Sequence, residues 1–273
     1  QAPAGFKREI LDQVGPALKN LVDQGTLSGV VTLVWKGRQE VQFNAIGQRD
    51  IEAGLPMERD TIFRIASMTK PVTTLAALML VEEGKLRLDD PITKWLPEFK
   101  DMPVLKDPTG PLDATVPSRR DITVEDLMTH RSGLAYGFSS VGPIAHAHEA
   151  KLGSLLANSF SPDEWLQKLS ELPLSYQPGE RFHYSHSTEV LGFLVARVEG
   201  KTLGEVLQQR IFGPLGMQDT GFWPPPDKRG RMAKLYQAPP DGGPLKDVSW
   251  PYPSTAEKQF EGGGGSLYST LDG

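Results

Sequence analysis

One segment restricts the folds open to this chain more than any other. From Val72 to Glu83 the sequence reads as a helix that is apolar nearly all round, and Gly84 ends it. Such a helix has little face to give to water, so it belongs in a core and other elements must cover it. A chain of 273 residues supplies that cover, as one large or two modest domains, without metal or disulfide staples. The longest unbroken apolar run, Leu75 to Val81, falls well short of the roughly 18 residues a membrane span needs.

The flanking sequence predicts what surrounds this helix. Ile10, Leu11, Val14, Leu18, Leu21 and Val22 recur at helical spacing between Phe6 and Gln24, with Pro16 expected to kink the helix and Gly25 to stop it. Gly29 to Trp35 and Glu40 to Ile46 read as a hairpin closed by Lys36-Gly37-Arg38, and a short strand is expected around Thr61 to Ile65. Residues 89–120 carry six prolines and read as irregular connection with one helical turn. Helices are expected over Thr123 to Met128, Pro162 to Glu171 with Ser161 as N-cap, Thr188 to Val198 with Ser187 as cap, and Thr202 to Phe212. Arg181 to Ser185 reads as extended. Two strands in a hairpin are not a stable sheet, so further strands must lie in the last sixty residues or outside the chain.

Charge and composition remove several function classes. The balance of 29 basic against 34 acidic residues gives a net charge of −5, which argues against nucleic acid as a partner. The absence of cysteine excludes a disulfide scaffold, a thiolate nucleophile and cysteine-ligated zinc. His146 and His148, or His183 and His186, could meet a metal, but no carboxylate stands at helical spacing to complete the set, so no metal or other cofactor is expected. His130 is expected to face the C-terminus of the helix before it. The chain opens Gln1-Ala2-Pro3-Ala4 without an initiator Met, and export through a cleaved signal is favoured over a cytoplasmic location.

Ser67 and Lys70 form the one Ser-x-x-Lys spacing in the chain. Residues i and i+3 share a helix face, and the start of a buried helix favours negative charge on oxygen. A lysine whose proton is loosened by burial can activate a serine. About one such spacing arises by chance in a chain of this length, and an N-cap serine followed by a surface lysine looks the same. Tyr184, between a Pro-Gly turn and a helix, can shuttle a proton as a phenol or simply pack its ring.

Four ordered blocks change the weight of these residues. Phe63-Arg64-Ile65-Ala66-Ser67-Met68-Thr69-Lys70, Leu127 to Leu134, Tyr184-Ser185-His186-Ser187 and Pro214 to Phe222 together resemble the serine hydrolases related to class C β-lactamases, most closely the family VIII bacterial carboxylesterases. The resemblance implies an α+β fold of the β-lactamase and penicillin-binding-protein type, an antiparallel sheet flanked by helices plus a mostly helical domain. It assigns 1–88 and 205–273 to the α/β part and 89–204 to the helical part, with the active site between them. It also implies Ser67 as the acylated nucleophile, with Lys70 and Tyr184 as its acid–base pair.

His186 stands where the lactamases usually carry Asn, which favours an esterase, and it is a candidate substrate-binding residue. The family's late glycine-containing strand is absent, so the resemblance implies an N-terminal portion whose sheet is completed by a C-terminal fragment of the same polypeptide. Gly262 to Gly265 is spelled like an engineered linker, yet Leu267 to Thr270 matches the family's continuation, so the segment is read as native. The expected function is hydrolysis of a short-chain, small-molecule ester. A β-lactamase, a D,D-peptidase or an acyltransferase would use the same three residues, and a non-catalytic binding module would keep only the fold.

Overall fold

A computed structural model describes residues 5–153, 158–251 and 260–273. Contacts divide the chain into two compact units, Gln1–Arg64 with Pro224–Pro251 and Tyr268–Gly273, and Ile65–Trp223 with Tyr252–Leu267.

The first unit is built on the hairpin. Strands β1 (Gly29–Lys36) and β2 (Gln39–Asp50) pair antiparallel from Gly29 opposite Gly47 to Lys36 opposite Gln39. Gly37 and Arg38 both take positive φ, 57° and 64°, the turn that matches the twist of the flanking strands. Helix α1 (Arg8–Asp23) packs on β2, where the Gln42 amide donates to the Leu11 carbonyl. Pro16 lies inside α1 without ending it. A two-residue β3 (Leu55–Pro56) pairs with β2, and β4 (Phe63–Arg64) pairs with Tyr268–Ser269 from the far end of the chain. The core here is thin: Leu11, Val41 and Met57 keep 7–9% exposure, and Ile62 is fully buried.

The second unit holds the larger core. Helix α2 (Thr69–Glu82) and helix α6 (Ser187–Glu199) pack against each other, and α6 buries nine successive residues from Ser187 to Val195. Around them stand a short hairpin of β5 (Pro103–Leu105) and β6 (Thr115–Pro117), then α3 (Val124–Met128), α4 (Pro143–Leu152), α5 (Pro162–Ser170) and α7 (Leu203–Leu207). Local chemistry starts the short helices. Thr123 with Asp126 and Thr202 with Glu205 form reciprocal capping boxes, and the Ser161 hydroxyl accepts from the Glu164 amide.

Several local expectations change. Helix α2 buries Thr69, Thr73, Ala76, Ala77 and Leu80, while Leu75 and Leu78 on its other side are exposed, so composition alone overstated its burial. The β5–β6 hairpin arises where irregular chain was expected, with proline at the start of β5 and the end of β6, and helix α4, weakly patterned, arises where no element was assigned. Residues 181–185 form no strand. Ser187 does not cap α6; His186 precedes the helix, and the Ser187 hydroxyl bonds those of Ser132 and Ser185, each at 2.7 Å. The segment after α7 widens into a π-helical turn, Gln208–Phe212, rather than continuing as α-helix. No described helix is long and apolar enough to cross a membrane.

Candidate active site

Ser67 sits in a single 3₁₀ turn, Ala66–Met68, that runs into α2. Ala66 before it holds a φ of 45°, a left-handed conformation costly for a residue with a side chain. Lys70 lies in the first turn of α2, three residues on, and its ammonium donates to Ser67 Oγ at 3.3 Å and to the Gly264 carbonyl at 2.6 Å. Tyr184 comes from the loop ahead of α6. Its carbonyl accepts from the Ser139 hydroxyl at 2.7 Å, and the next amide, of Ser185, donates to His130 Nδ1 at 3.2 Å. Held this way, Tyr184 Oη stands 2.6 Å from Ser67 Oγ, and the Tyr184 ring lies 4.6 Å from Lys70 Nζ. The three groups named from the sequence therefore meet around one oxygen.

That oxygen is exposed and opens on a cavity of about 370 Å³, walled by Tyr136, Phe138, Glu149, Tyr184 and Gly265. A larger cavity of about 680 Å³ elsewhere in the same unit lies around Leu166, Phe193 and Phe260, where the Thr202 hydroxyl is taken up as the cap of α7.

Behind the cavity lies a buried polar cluster whose Tyr136 and Glu189 the sequence reading passed over. The Tyr136 hydroxyl donates to both carboxylate oxygens of Glu189, at 2.9 and 2.8 Å, and Glu189 is 1% exposed. Burial alone would raise the Glu189 carboxyl, but His186, the Lys70 charge and the Tyr136 hydroxyl together hold it below its ordinary value. Burial and the Glu189 charge push the Tyr136 phenol far up, so it stays a donor. Burial, then the Lys70 charge, lower His130 to about 4, and burial, then His186, lower His148 to about 3. Both rings are neutral near pH 7. Glu189 stands directly before the apolar stretch Val190–Val195, and a charge at the edge of so apolar a helix is the signal that could have exposed it.

His186 is 4% exposed and packs between Tyr136, His148 and Trp165, while also touching the cavity. Its Nδ1 faces Glu189 Oε2 at 3.7 Å, within ion-pair distance but too far for a hydrogen bond. His130 turns its ring to Ser185 and Tyr184 rather than to the end of α3. Among the described residues no group of three or more His, Asp or Glu side chains is placed to hold a metal ion.

The glycine run closes the site from the other end of the chain. Thr73 Oγ1 donates to the Gly263 carbonyl at 2.7 Å, and the Leu267 amide donates to Thr69 Oγ1 at 3.2 Å. A Cβ on Gly264 would overlap Glu189 Oε1, and one on Gly263 would come 2.9 Å from the Thr188 carbonyl oxygen. These glycines are needed for close approach and form a packed segment.

Comparison with known proteins places this geometry. The model of the Beta-lactamase family matches residues 16–273. Protein Rv1367c of Mycobacterium tuberculosis is 49% identical over 262 residues, which cover 96% of this chain and 64% of that protein. Esterase EstB of Burkholderia gladioli is 39% identical over 196 residues, 72% of this chain and 47% of its own. The solved structure of EstCE1, described as a hydrolase with promiscuous acyltransferase activity, superposes with a TM-score of 0.78 at 28% identity and covers 97% of this chain and 70% of that one. The chain thus spans less than two thirds of the length of the two relatives compared by sequence.

Proposed function

The chain belongs to the Beta-lactamase family and has its α+β, penicillin-binding-protein-like fold, and from there we propose that it hydrolyses carboxylic esters of small molecules through an acyl-enzyme on Ser67. One observation carries the reading: a solvent-facing serine oxygen 2.6 Å from a tyrosine oxygen and 3.3 Å from a lysine nitrogen, at the mouth of a cavity. The Lys70–Tyr184 pair takes the Ser67 proton as Oγ attacks the ester carbonyl. The same pair gives a proton to the departing alcohol, and water then releases the acid by the reverse path. The start of α2 adds a favourable field for charge on the carbonyl oxygen. Tyr136 and Phe138, stacked at 4.6 Å, form an apolar wall for the acyl or alcohol group.

EstB is an esterase by name and EstCE1 a hydrolase by description, which favours ester over lactam as substrate. So does His186, whose buried ring offers no amide in the place where lactamases usually carry Asn. Acyl transfer to an alcohol in place of water is the second reading, favoured by the acyltransferase activity of EstCE1. The test is turnover of p-nitrophenyl butyrate beside a chromogenic cephalosporin, with and without an added alcohol. Ester turnover that disappears in Ser67→Ala, with labelling of wild-type Ser67 by a serine-directed phosphonate, is the expected result. Activity retained in a clean Ser67→Ala preparation, or lactam turnover exceeding ester turnover, overturns the reading.

A further inference from the structure

We propose that the cavity over Ser67 takes esters that carry an ammonium group, held between the carboxylate of Glu149 and the exposed ring of Phe138. The inference rests on the ester-hydrolase reading and deepens it by naming a class of substrate.

Glu149 is a carboxylate without a counter-charge. It stands on α4, lines the cavity that holds Ser67 and is exposed to solvent. Among the described residues no ion pair or side-chain hydrogen bond reaches its oxygens. The groups that could balance it are engaged elsewhere. Lys151, two residues on, pairs with Glu171, and burial keeps His148 neutral near pH 7. His186 and Lys70, the other cavity residues able to carry positive charge, serve Glu189 instead. Burial raises that carboxyl, and His186 first, then Lys70 and Tyr136, hold it below its ordinary value. The cavity wall is therefore left with one anion that the protein does not neutralise.

The wall beside that anion suits a cation. The Glu149 side chain lies against Gly137, where a Cβ would come 2.7 Å from Glu149 Cγ and 3.3 Å from Oε1. Only glycine at 137 lets the carboxylate lie this close to the aromatic wall. The next residue, Phe138, lines the same cavity and is 72% exposed. One face of its ring is stacked on Tyr136, with the planes 20° apart, and Tyr184 stands across from it at 6.3 Å and 57°. Aromatic faces attract an ammonium, most strongly where water is displaced. Lys70 Nζ already stands 4.6 Å from the Tyr184 ring and 5.5 Å from the Tyr136 ring, whereas no described cation lies over Phe138. A neutral chain gains from these rings alone. An ammonium gains from the ring and from the carboxylate together, while the ester carbonyl is attacked at Ser67 as in any other ester.

The test compares charged esters with their neutral isosteres in the full-length protein. Butyrylcholine is set against the butyrate ester in which tert-butyl replaces trimethylammonium, which places the charge on the alcohol. p-Nitrophenyl γ-trimethylammoniobutyrate is set against its tert-butyl counterpart, which places it on the acyl group. In at least one pair kcat/KM should be about tenfold higher for the cation, and the responding pair tells which side of the ester enters the cavity. That ratio should fall to about threefold or less in Glu149→Gln, recover in Glu149→Asp, and shrink as salt is raised. Each ratio compares two substrates of one preparation, so a merely structural loss of rate leaves it unmoved. Ratios near one in both pairs, or a wild-type ratio kept in Glu149→Gln, overturn the proposal. Should Glu149→Gln fail to fold, Phe138→Leu decides: a lost preference supports the site and a kept one overturns it. If p-nitrophenyl butyrate is not turned over either, the ester reading fails and this inference with it; neutral esters turned over without preference for the cation sink this inference alone.

Discussion

A serine hydroxyl is a poor nucleophile until something takes its proton, and here Tyr184 Oη at 2.6 Å and Lys70 Nζ at 3.3 Å are in reach. Tyr184→Phe keeps the ring that faces Lys70 but removes the oxygen, so kcat for p-nitrophenyl butyrate should fall by about 10²–10⁴ with an unchanged far-UV spectrum. A change below tenfold would reduce Tyr184 to packing. Gly264→Ala tests the close approach from the other side. Its methyl group must displace Glu189 Oε1, which should cost about 1–3 kcal/mol in urea unfolding and lower esterase rate together. Ser67, Lys70 and Tyr184 were legible in the sequence because the first two share one helix turn and the third lies in a block that travels with them. Tyr136, Glu189 and Gly264 were not. Their meeting depends on burial and on contacts across more than 50 residues, which no local spacing records.

At the scale of elements, helix boundaries followed local chemistry. The caps at Ser161, Thr123 and Thr202 mark where α5, α3 and α7 begin, and Gly200 in the left-handed conformation ends α6. Helix α4 is opened by Pro143 and closed by Gly153 but has no capping side chain and a weak apolar pattern, and it stayed hidden with the β5–β6 hairpin, whose strands are three residues long. Helix α4 carries a pH dependence of its own. His148 is 3% exposed and lowered to about 3 by burial, so between its ordinary value of 6.5 and about 3 the unfolded chain binds a proton that the native protein refuses. Stability should therefore be intact above pH 6.5 and fall with acid by up to about 1.4 kcal/mol per pH unit from this group. Urea midpoints measured from pH 7 to pH 4 should decline less steeply in His148→Gln than in wild type. Equal slopes would show that the ring does not titrate this way.

For the molecule as a whole, the two units differ in how much apolar surface they bury. The core around α2 and α6 contains many side chains with no exposure, among them Leu80, Leu127, Trp165, Leu191 and Leu194. The hairpin unit keeps partial exposure at most of its apolar positions. Native-state hydrogen exchange should find the strongest protection in α6 and α2, and faster exchange in α1 and β1. Uniform protection across both would contradict this ordering. The β1–β2 pairing could be read from the sequence because alternation is local, whereas the α+β class was read from the resemblance carried by four ordered blocks. The joining of β4 to Tyr268–Ser269 could not, since two-residue strands more than 200 positions apart leave no periodic trace.

The grip of Gly264 on Lys70 also sets a timetable. When a ribosome has made Ser67, Lys70 and Tyr184, the nascent chain already contains every reacting group, yet the carbonyl that steadies the lysine is still some 80 codons away from synthesis. The contact closes a loop of 194 residues and so comes late. Until that contact forms, Lys70 lacks the carbonyl that fixes its place beside Ser67.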